Sequence, residues 1–360
     1  MRGWQGRRVL LTGHTGFKGG WLALWLARLG AQIRGYALDP ATEPNLFTVA
    51  GVGSVLEDVR GDLLDRARLE TTVQEFAPEV VFHLAAQPLV RRSYADPLGT
   101  YATNVMGTAY VLEAVRKTPS VRAVVCVTTD KCYENREWVW PYRETDALGG
   151  HDTYSSSKAC AEIVSAAYRR SFFSAGERNV ALATARAGNV IGGGDWSEDR
   201  LIPDLIRGFC AGKSVLIRRP EAIRPWQHVL EPVYGYLLLA EKLLVGEPQF
   251  AAPFNFGPGD EDAWPVERIA ERAAGLWGDG ASCVRGDDSG VHEAGVLRLD
   301  ASQAKVLLGW RSRLPIEDAL DWTLRWYRAW HRGEAMAAET TRQIAAYEEL
   351  RKVLRGGARA

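Results

Sequence analysis

Residues 8–39 read RVLLTGHTGFKGGWLALWLARLGAQIRGYALD, and this stretch decides the fold. Its apolar start, residues 8–12, predicts a buried strand, and the apolar spacing within residues 18–29 predicts a helix. Residues 32–38 predict a second strand. A strand, a glycine-rich turn, a helix and another strand, in this order, are typical of a Rossmann-type β-α-β unit.

The glycine-rich turn predicts a dinucleotide site. Gly13, Gly16 and Gly19 permit a tight turn and let backbone N–H groups approach a pyrophosphate, which the helix N-terminus also favours. Asp39 can accept hydrogen bonds from ribose hydroxyls, which favours NAD over NADP, although Arg34 lies nearby. Further contacts to this cofactor are expected from Thr15, Phe17, Asp62, Leu63, Leu84, Ala85 and Ala86. The alternatives are a turn without a ligand and, for residues 84–86, plain packing of the sheet.

Strand and helix patterns continue to alternate as far as residue 186. Alternation of this kind predicts an α/β fold with a doubly wound parallel sheet covered on both faces. Residues 1–186, with a return segment near 226–250, are interpreted as the NAD-binding domain. Residues 187–225 and 251–332 are interpreted as a smaller mixed α/β substrate lobe, and residues 333–360 as a helical tail.

Composition narrows the class of protein. Lys and Arg total 44, as do Asp and Glu, so net charge gives no argument for nucleic acid or an anionic membrane as partner. The five cysteines form no CxxC pair, which predicts neither a metal site nor a redox motif. No signal peptide or membrane span is evident, so a cytoplasmic enzyme is expected.

A tyrosine and a lysine predict general acid–base chemistry. Tyr154 and Lys158 are four residues apart at the start of a predicted helix and therefore share a face. An ammonium beside a phenol stabilises the phenolate, which can accept a proton from a substrate hydroxyl. The fifth predicted strand ends in Thr129, Asp130 and Lys131, which offer a hydroxyl, an acid and a base at the ligand edge of the sheet. A surface Asp–Lys pair in a strand-end turn is the alternative.

These motifs resemble the extended short-chain dehydrogenase/reductase family. TGHTGFKG, YSSSK and the strand-end Thr-Asp pair carry that resemblance. The segments TTDKCYENREWVWPYRE, ARAGNVIGGGDW and IRPWQHVLEP are more specific, and they are similar to the family's nucleotide-sugar 4,6-dehydratases, in particular those acting on CDP-glucose. The resemblance runs from about residue 7 to residue 330.

The resemblance implies a reaction and roles for the strand-end residues. The sugar is oxidised at C4 by NAD, loses water across C5 and C6, and regains the hydride at C6. Tyr154, assisted by Lys158 and Thr129, would deprotonate the C4 hydroxyl. Lys131 would remove the C5 proton, and Asp130 would protonate the departing C6 hydroxyl. The expected product is a 4-keto-6-deoxy sugar nucleotide.

Substrate contacts are expected from the second half of the chain. Candidates for holding the nucleotide diphosphate are Asn189, Trp196, Arg219, Arg224 and Asn255. His151 is a candidate for contact with the sugar, with a purely structural histidine as the alternative. A solvated basic loop is the alternative for the arginines.

Other functions remain open at this stage. They are a nucleotide-sugar 4-epimerase, a 4,6-dehydratase of a dTDP-, GDP- or UDP-sugar, and a non-catalytic NAD-sensing protein. The resemblance also implies a homodimer or a dimer of dimers, because relatives often dimerise through two helices per subunit. Residues 104–117 and 154–173 are the candidate helices.

Overall fold

The computed structural model describes residues 3–174, 180–286 and 295–356. Within them lie the following strands, in chain order: β1 (Arg8–Thr12), β2 (Gln32–Ala37), β3 (Glu57–Arg60), β4 (Val80–His83), β5 (Ala123–Val127), β6 (Ala181–Ala187), β7 (Val190–Ile191), β8 (Val215–Ile217), β9 (Ile223–Pro225), β10 (Gln227–His228), β11 (Pro253–Phe256), β12 (Ala263–Pro265) and β13 (Cys283–Arg285).

The same residues form these α-helices: α1 (Phe17–Arg28), α2 (Leu46–Val49), α3 (Arg66–Phe76), α4 (Val90–Ala95), α5 (Pro97–Tyr101), α6 (Gly107–Lys117), α7 (Thr153–Tyr168), α8 (Leu201–Cys210), α9 (Leu230–Val245), α10 (Val266–Trp277), α11 (Ile316–His331) and α12 (Met336–Gly356). π-helical turns precede α6 at Ala102–Met106 and follow α7 at Arg169–Phe173.

Seven parallel strands form the main sheet, in the spatial order β11-β6-β5-β4-β1-β2-β3. The strand order reverses between β1 and β4, which opens a crevice at the C-terminal ends of these strands. The remaining described strands pair as β7–β10, β9–β12 and β8–β13. The predicted doubly wound α/β class is confirmed, and this topology directs the crevice toward the ends of β1, β4 and β5.

Both faces of the middle of the sheet are covered, which explains why the central strands β1, β4 and β5 are almost entirely apolar. One row of side chains packs with α1 and α9, and it comprises Leu11, Phe82, Val125 and Ala183. The adjacent row packs with α3 and α6, and it comprises Leu10, Val81, Val124 and Leu182. A strand buried on both faces has no polar positions to alternate with.

The predicted boundary of the substrate lobe is wrong at β11. Residues 251–332 were expected to form part of that lobe, but β11 pairs in parallel with β6, with Pro253 opposite Thr184 and Phe256 opposite Ala187. The short apolar run gave no sign of its pairing partner, because β-ladders join segments distant in sequence.

The helical tail packs back onto the first helix. In α12, Glu348 Oε1 accepts a hydrogen bond from Trp25 Nε1 over 2.8 Å, and the Tyr347 ring meets the Trp25 ring edge-on. The last four residues of the expected tail, 357–360, lie outside the described residues. In the described part of the chain, no helix is both long and apolar enough to cross a membrane.

Candidate active site

A cavity of about 280 Å³ opens at the C-terminal ends of the central strands. It lies between the strand ends, the start of α7 and the segment from α8 to β9. The sequence-predicted residues that line it are Phe17, Thr129, Asp130, Lys131, Tyr154, Asn189, Arg219 and Arg224. The structure thus brings together residues that are up to about two hundred positions apart in the sequence.

The turn after β5 presents the acid and the base. Thr129 caps a short 3-10 turn by accepting a hydrogen bond from Lys131 N, and its hydroxyl donates to Asp130 Oδ1 over 3.0 Å. Asp130 is buried, and among the described residues none hydrogen-bonds to its Oδ2. Burial raises the pKa of Asp130, which favours the protonated form that a general acid requires.

The start of α7 presents the tyrosine to the same cavity. Asp152 caps this helix by accepting a hydrogen bond from Ser155 N over 2.9 Å. A hydrogen bond joins the hydroxyls of Tyr154 and Thr129, and burial raises the pKa of Tyr154 to about 12. Tyr154 is therefore a neutral phenol in the free chain, and a neighbouring positive charge is needed before it can act as a base.

Lys158 lies one helical turn farther along α7. Its Nζ donates to the Val127 carbonyl over 3.4 Å, and the side chain is buried. Burial lowers the pKa of Lys158 to about 8. Near neutral pH it is mostly protonated, so it can supply the positive charge that the phenol lacks.

A buried polar network supports the strand end from behind. Glu162, two turns after Tyr154, accepts hydrogen bonds from Thr128 Oγ1 over 2.5 Å and from Thr184 Oγ1 over 2.7 Å. Arg186 Nη2 donates to the same carboxylate over 2.8 Å. This network ties Thr128, directly after β5, to β6 and α7. It therefore fixes the backbone that carries Thr129 and Asp130.

Lys18 and Arg200 are among the charged cavity residues that the sequence interpretation missed. Lys18 follows Phe17 at the start of α1 and lines the cavity, and burial together with the charges of Arg200 and Lys158 lowers its pKa to about 8. Its position inside TGHTGFKG was a signal that a charged side chain faces the ligand. Arg200 lines the cavity and donates to Asp195 Oδ2 over 2.8 Å. Arg200 lies four residues after the segment ARAGNVIGGGDW, and it belongs to none of the motifs that the sequence interpretation used.

The far end of the cavity is rich in arginine. Arg91, Arg218, Arg219 and Arg224 all line it. Arg224 is buried, and its Nη1 donates to the carbonyls of Ile223 and Gly295, each over 3.0 Å. This concentration of guanidinium groups suits a diphosphate.

Three predicted substrate contacts lie outside this cavity. Trp196 packs its ring against Trp326, Tyr327 and Trp330 at centroid distances of 5.2–5.6 Å, so it is a core residue. Asn255 is fully buried: its Nδ2 donates to the carbonyls of Tyr142 and Asp300, and its Oδ1 accepts from the Tyr133 hydroxyl. Both N–H groups of its amide are used within the protein, and its burial keeps it away from the cavity. His151 is exposed and does not line the cavity.

The glycine-rich turn has the geometry that a dinucleotide needs. Gly13 has φ 79°, and a Cβ there would lie 2.7 Å from Ala85 N, so only glycine fits between β1 and the end of β4. Gly16 is exposed at the N-cap of α1, whose first turn has neither a side-chain cap nor an acidic residue. The helix N-terminus is therefore left to an incoming anion, and these residues fit a bound pyrophosphate.

The other predicted cofactor residues surround this turn. Gly19 packs on the Gly13 carbonyl, and Thr15 Oγ1 donates to the Leu38 carbonyl over 3.0 Å. Leu84, Ala85 and Ala86 follow β4 directly, and Asp62 Oδ1 accepts from Leu64 N. The Leu63 side chain is buried in the core, which leaves it only backbone atoms for a ligand. The Asp39 side chain is 87% exposed beside the end of β2.

Comparison with known proteins agrees with this architecture. A family model described as the NAD dependent epimerase/dehydratase family matches residues 9–252. The chain belongs to this family. A UDP-glucose 4-epimerase from Brucella ovis, solved in complex with NAD, is 25% identical with a TM-score of 0.74, and the match covers 88% of this chain and 97% of that one.

Relatives similar to this chain include enzymes named as dehydratases. A CDP-glucose 4,6-dehydratase from Salmonella typhimurium is 51% identical over 347 residues, which cover 96% of this chain and 97% of that protein. A dTDP-glucose 4,6-dehydratase from Streptomyces antibioticus is 30% identical, covering 89% and 92% of the two chains. The expected resemblance is thereby confirmed.

Proposed function

We propose that this protein is an NAD-dependent CDP-glucose 4,6-dehydratase that forms CDP-4-keto-6-deoxyglucose. The observation that carries the proposal is the meeting of Thr129, Asp130, Lys131 and Tyr154 in one cavity. The 51% identity to the Salmonella typhimurium enzyme over nearly the whole chain supports the choice of substrate.

The cofactor fits the turn between β1 and α1. When bound, NAD supplies a hydride acceptor and later a hydride donor beside the sugar. The residues that would hold it are Gly13, Thr15, Gly16, Phe17, Gly19, Asp39, Asp62, Leu63, Leu84, Ala85, Ala86, Tyr154 and Lys158. The pyrophosphate would lie over the start of α1, where backbone N–H groups and the helix dipole favour an anion.

The first proton transfer belongs to Tyr154. In its phenolate form, Tyr154 takes the proton of the C4 hydroxyl, while the Thr129 hydroxyl, hydrogen-bonded to it, aligns the two oxygens. The ammonium of Lys158 stabilises the phenolate form. Oxidation then leaves a carbonyl at C4, which acidifies the C5 proton.

The elimination belongs to Lys131 and Asp130. Neutral Lys131 removes the C5 proton, and protonated Asp130 gives its proton to the departing C6 hydroxyl, so that one water leaves. Because Asp130 is buried, its protonated form is available at a pH where an exposed carboxyl would be ionised. Lys131 then returns its proton to C5, and proton exchange with solvent restores the Tyr154 phenolate and the acid form of Asp130 for the next turnover.

The arginine-rich end is the proposed diphosphate site. Arg219 and Arg224, with Asn189 at the cavity wall, are the residues proposed to hold it. Guanidinium groups donate two parallel hydrogen bonds to phosphate oxygens. The sugar would then extend toward Tyr154 and the nucleoside toward α8 and β8.

An epimerase is the principal rival, since relatives of that activity share the fold. Epimerisation at C4 needs no acid and base for C5 and C6. A buried carboxyl whose Oδ2 receives no hydrogen bond from the described residues, directly beside a lysine, favours the dehydratase.

The test is incubation of the purified protein with CDP-, dTDP-, UDP- and GDP-glucose in turn. Mass spectrometry should show loss of one water from CDP-glucose, with the other three converted more slowly. Retention of mass with inversion at C4 would establish an epimerase. Binding of NAD without turnover of any of the four would support a non-catalytic protein.

We further propose that the protein forms a homodimer through α6 and α7. Exposed apolar side chains cluster on and beside these helices, with Leu98 80%, Ile163 56% and Met106 46% exposed. α5 and α7 are also linked by a hydrogen bond between the Tyr101 hydroxyl and Ser156 Oγ over 2.7 Å. A second copy of the same face would cover these side chains.

A further inference from the structure

The end of the NAD-binding sheet carries an arginine whose surroundings fix its position. Arg60 ends β3, opposite Ala37 at the end of β2. Its Nε and Nη2 donate to Asp58 Oδ2 over 3.1 and 2.8 Å, and its Nη1 donates to the Leu38 carbonyl over 3.1 Å. The guanidinium also lies over the Phe47 ring at 4.6 Å.

The anchor of this arginine extends into the glycine-rich turn. Asp58 Oδ1 is hydrogen-bonded to Nε2 of His14, a fully buried side chain, over 2.8 Å. The His14 ring occupies the space above Gly35, where a Cβ would lie 2.5 Å from the ring. Burial lowers the pKa of His14, so at neutral pH the charge of Asp58 is balanced by Arg60.

Asp39 lies next to this fixed cation. Its Oδ1 is 3.4 Å from Arg60 Nη1, whereas its side chain is 87% exposed and Arg60 is 31% exposed. Three charges therefore meet where the ribose of a bound dinucleotide would lie, namely Arg60, Asp58 and Asp39, with a net charge of −1. The 2′-phosphate of NADP would be repelled by the net negative charge of this group, even though the Arg60 guanidinium is part of it.

We propose that Arg60 is a latent 2′-phosphate site and that the Asp39 carboxylate alone keeps it closed to NADP. With Asp39 removed, the cluster is neutral and the Arg60 fork has N–H groups directed at an incoming phosphate. This inference rests on the proposed binding of NAD at the glycine-rich turn.

Arg34, the arginine that the sequence placed near Asp39, offers a matched control. Its Nε and Nη2 pair with Glu57 at 2.9 and 2.8 Å, its Nη1 donates to the Thr72 carbonyl, and it lies over Phe76. It belongs to the same sheet edge, but it is held by groups on β3 and α3.

The experiment is calorimetric titration of NAD⁺ and NADP⁺ into cofactor-free protein, without substrate. The wild-type chain should prefer NAD⁺. Asp39→Ala should shift the ratio of the two dissociation constants toward NADP⁺ by roughly 10- to 100-fold, the range of one or two charge-assisted hydrogen bonds. Asp39→Ala/Arg60→Gln should lose that shift, and Asp39→Ala/Arg34→Gln should keep it.

The outcomes separate this inference from the proposed function. If the wild-type chain binds neither dinucleotide, the proposed function fails and the latent site with it. If NAD⁺ binds but Asp39→Ala/Arg60→Gln still shows the shift toward NADP⁺, the inference about Arg60 is overturned and NAD binding stands. The same holds if the wild-type chain binds the two dinucleotides with equal affinity. Circular dichroism and thermal melting of each variant establish that Asp58 and His14 still support a folded sheet.

Discussion

The Tyr347 hydroxyl donates a hydrogen bond to Glu231 Oε2 over 2.7 Å in the interior of the protein. The other carboxyl oxygen of Glu231 accepts from the backbone nitrogens of Arg313 and Leu314 over 2.7 and 2.8 Å. One carboxyl group on α9 thus joins α12 and the segment before α11. Hydrogen bonds to this group therefore hold α12 and the segment before α11 against α9, in addition to apolar packing.

This carboxyl makes stability depend on pH. Burial raises the pKa of Glu231 from 4.5 to about 7, so between these values the folded chain binds a proton that the unfolded chain has lost. The contribution of Glu231 to stability is therefore fully present at low pH and is lost as the pH rises toward 7. Glu231→Gln should gain about 2 to 3 kcal/mol relative to wild type between pH 5 and pH 8.

Urea unfolding of both proteins at pH 5 and pH 8 measures this difference. Glu334→Gln is the control, because Glu334 is half-exposed just before α12 and forms a surface ion pair with Arg332. That variant should follow the pH dependence of the wild type. A constant offset between wild type and Glu231→Gln would show that Glu231 does not titrate in this range.

The ion pair between Glu162 and Arg186 should be costly to break on one side only. Both side chains are 3% exposed, so Arg186→Met leaves an uncompensated buried carboxylate and should destabilise the chain by about 3 to 5 kcal/mol. Glu162→Gln/Arg186→Met should lose less than Arg186→Met. Arg116→Met, at a surface pair with Glu113, should cost under about 1 kcal/mol. Equal losses for the single and double variants would refute the coupling.

The parts of the fold that depend on the spacing of apolar residues within one segment were predictable from the sequence. Residues 18–29 were expected as a helix and α1 spans Phe17–Arg28, because apolar spacing and the glycine-rich turn both act within a few residues. The strand end with Thr129 and Asp130 was found for the same reason, since parallel strands place their C-terminal ends at one edge. Pairing of β11 with β6 depends on residues far apart, and nothing local in Pro253–Phe256 reveals it.

The substrate side was less predictable, because a side chain's direction depends on its neighbours. Trp196 and Asn255 belong to segments that resemble the family, yet one packs into an aromatic cluster and the other fills a buried hydrogen-bond network. Lys18 was interpreted as part of α1, and its exposure to the cavity follows from the position of the first helical turn. Arg200 reaches the cavity only through the fold of the segment before α8.

The dimer proposal predicts the effect of charges placed on α7 and in the π-helical turn before α6. Met106→Glu/Ile163→Glu should convert a dimer into a monomer. Each new carboxylate would lose its hydration at the symmetric interface and would be repelled by the carboxylates that the partner subunit contributes to the same face. Val306→Glu, at a side chain 80% exposed and outside these helices, should leave the dimer intact. Sedimentation velocity measures the mass of each species. A wild-type monomer, or a double variant that still sediments as a dimer, would contradict the proposal.

Tyr154→Phe should stop the reaction before the C4 carbonyl forms. Removing a general acid–base group typically costs about 10²- to 10⁴-fold in rate. Single-turnover absorbance of reduced nicotinamide should therefore stay near zero with CDP-glucose. Tyr168→Phe, at the last residue of the same helix α7, is the matched control and should turn over normally. A Tyr154→Phe protein that reduces the nicotinamide at the normal rate would remove Tyr154 from the mechanism.

Lys131→Met should separate oxidation from elimination. Tyr154, Lys158 and Thr129 are unchanged in this variant, so C4 is still oxidised and reduced nicotinamide should accumulate. Without the amine no group removes the C5 proton, and exchange of C5 hydrogen with deuterated solvent should fall by about 10²- to 10⁴-fold. Lys242→Met, on α9 with its ammonium over the Phe250 ring, controls for loss of a lysine charge. Because exchange at C5 reports proton removal independently of water loss, normal exchange in Lys131→Met would assign the base to another residue even if dehydration were slow.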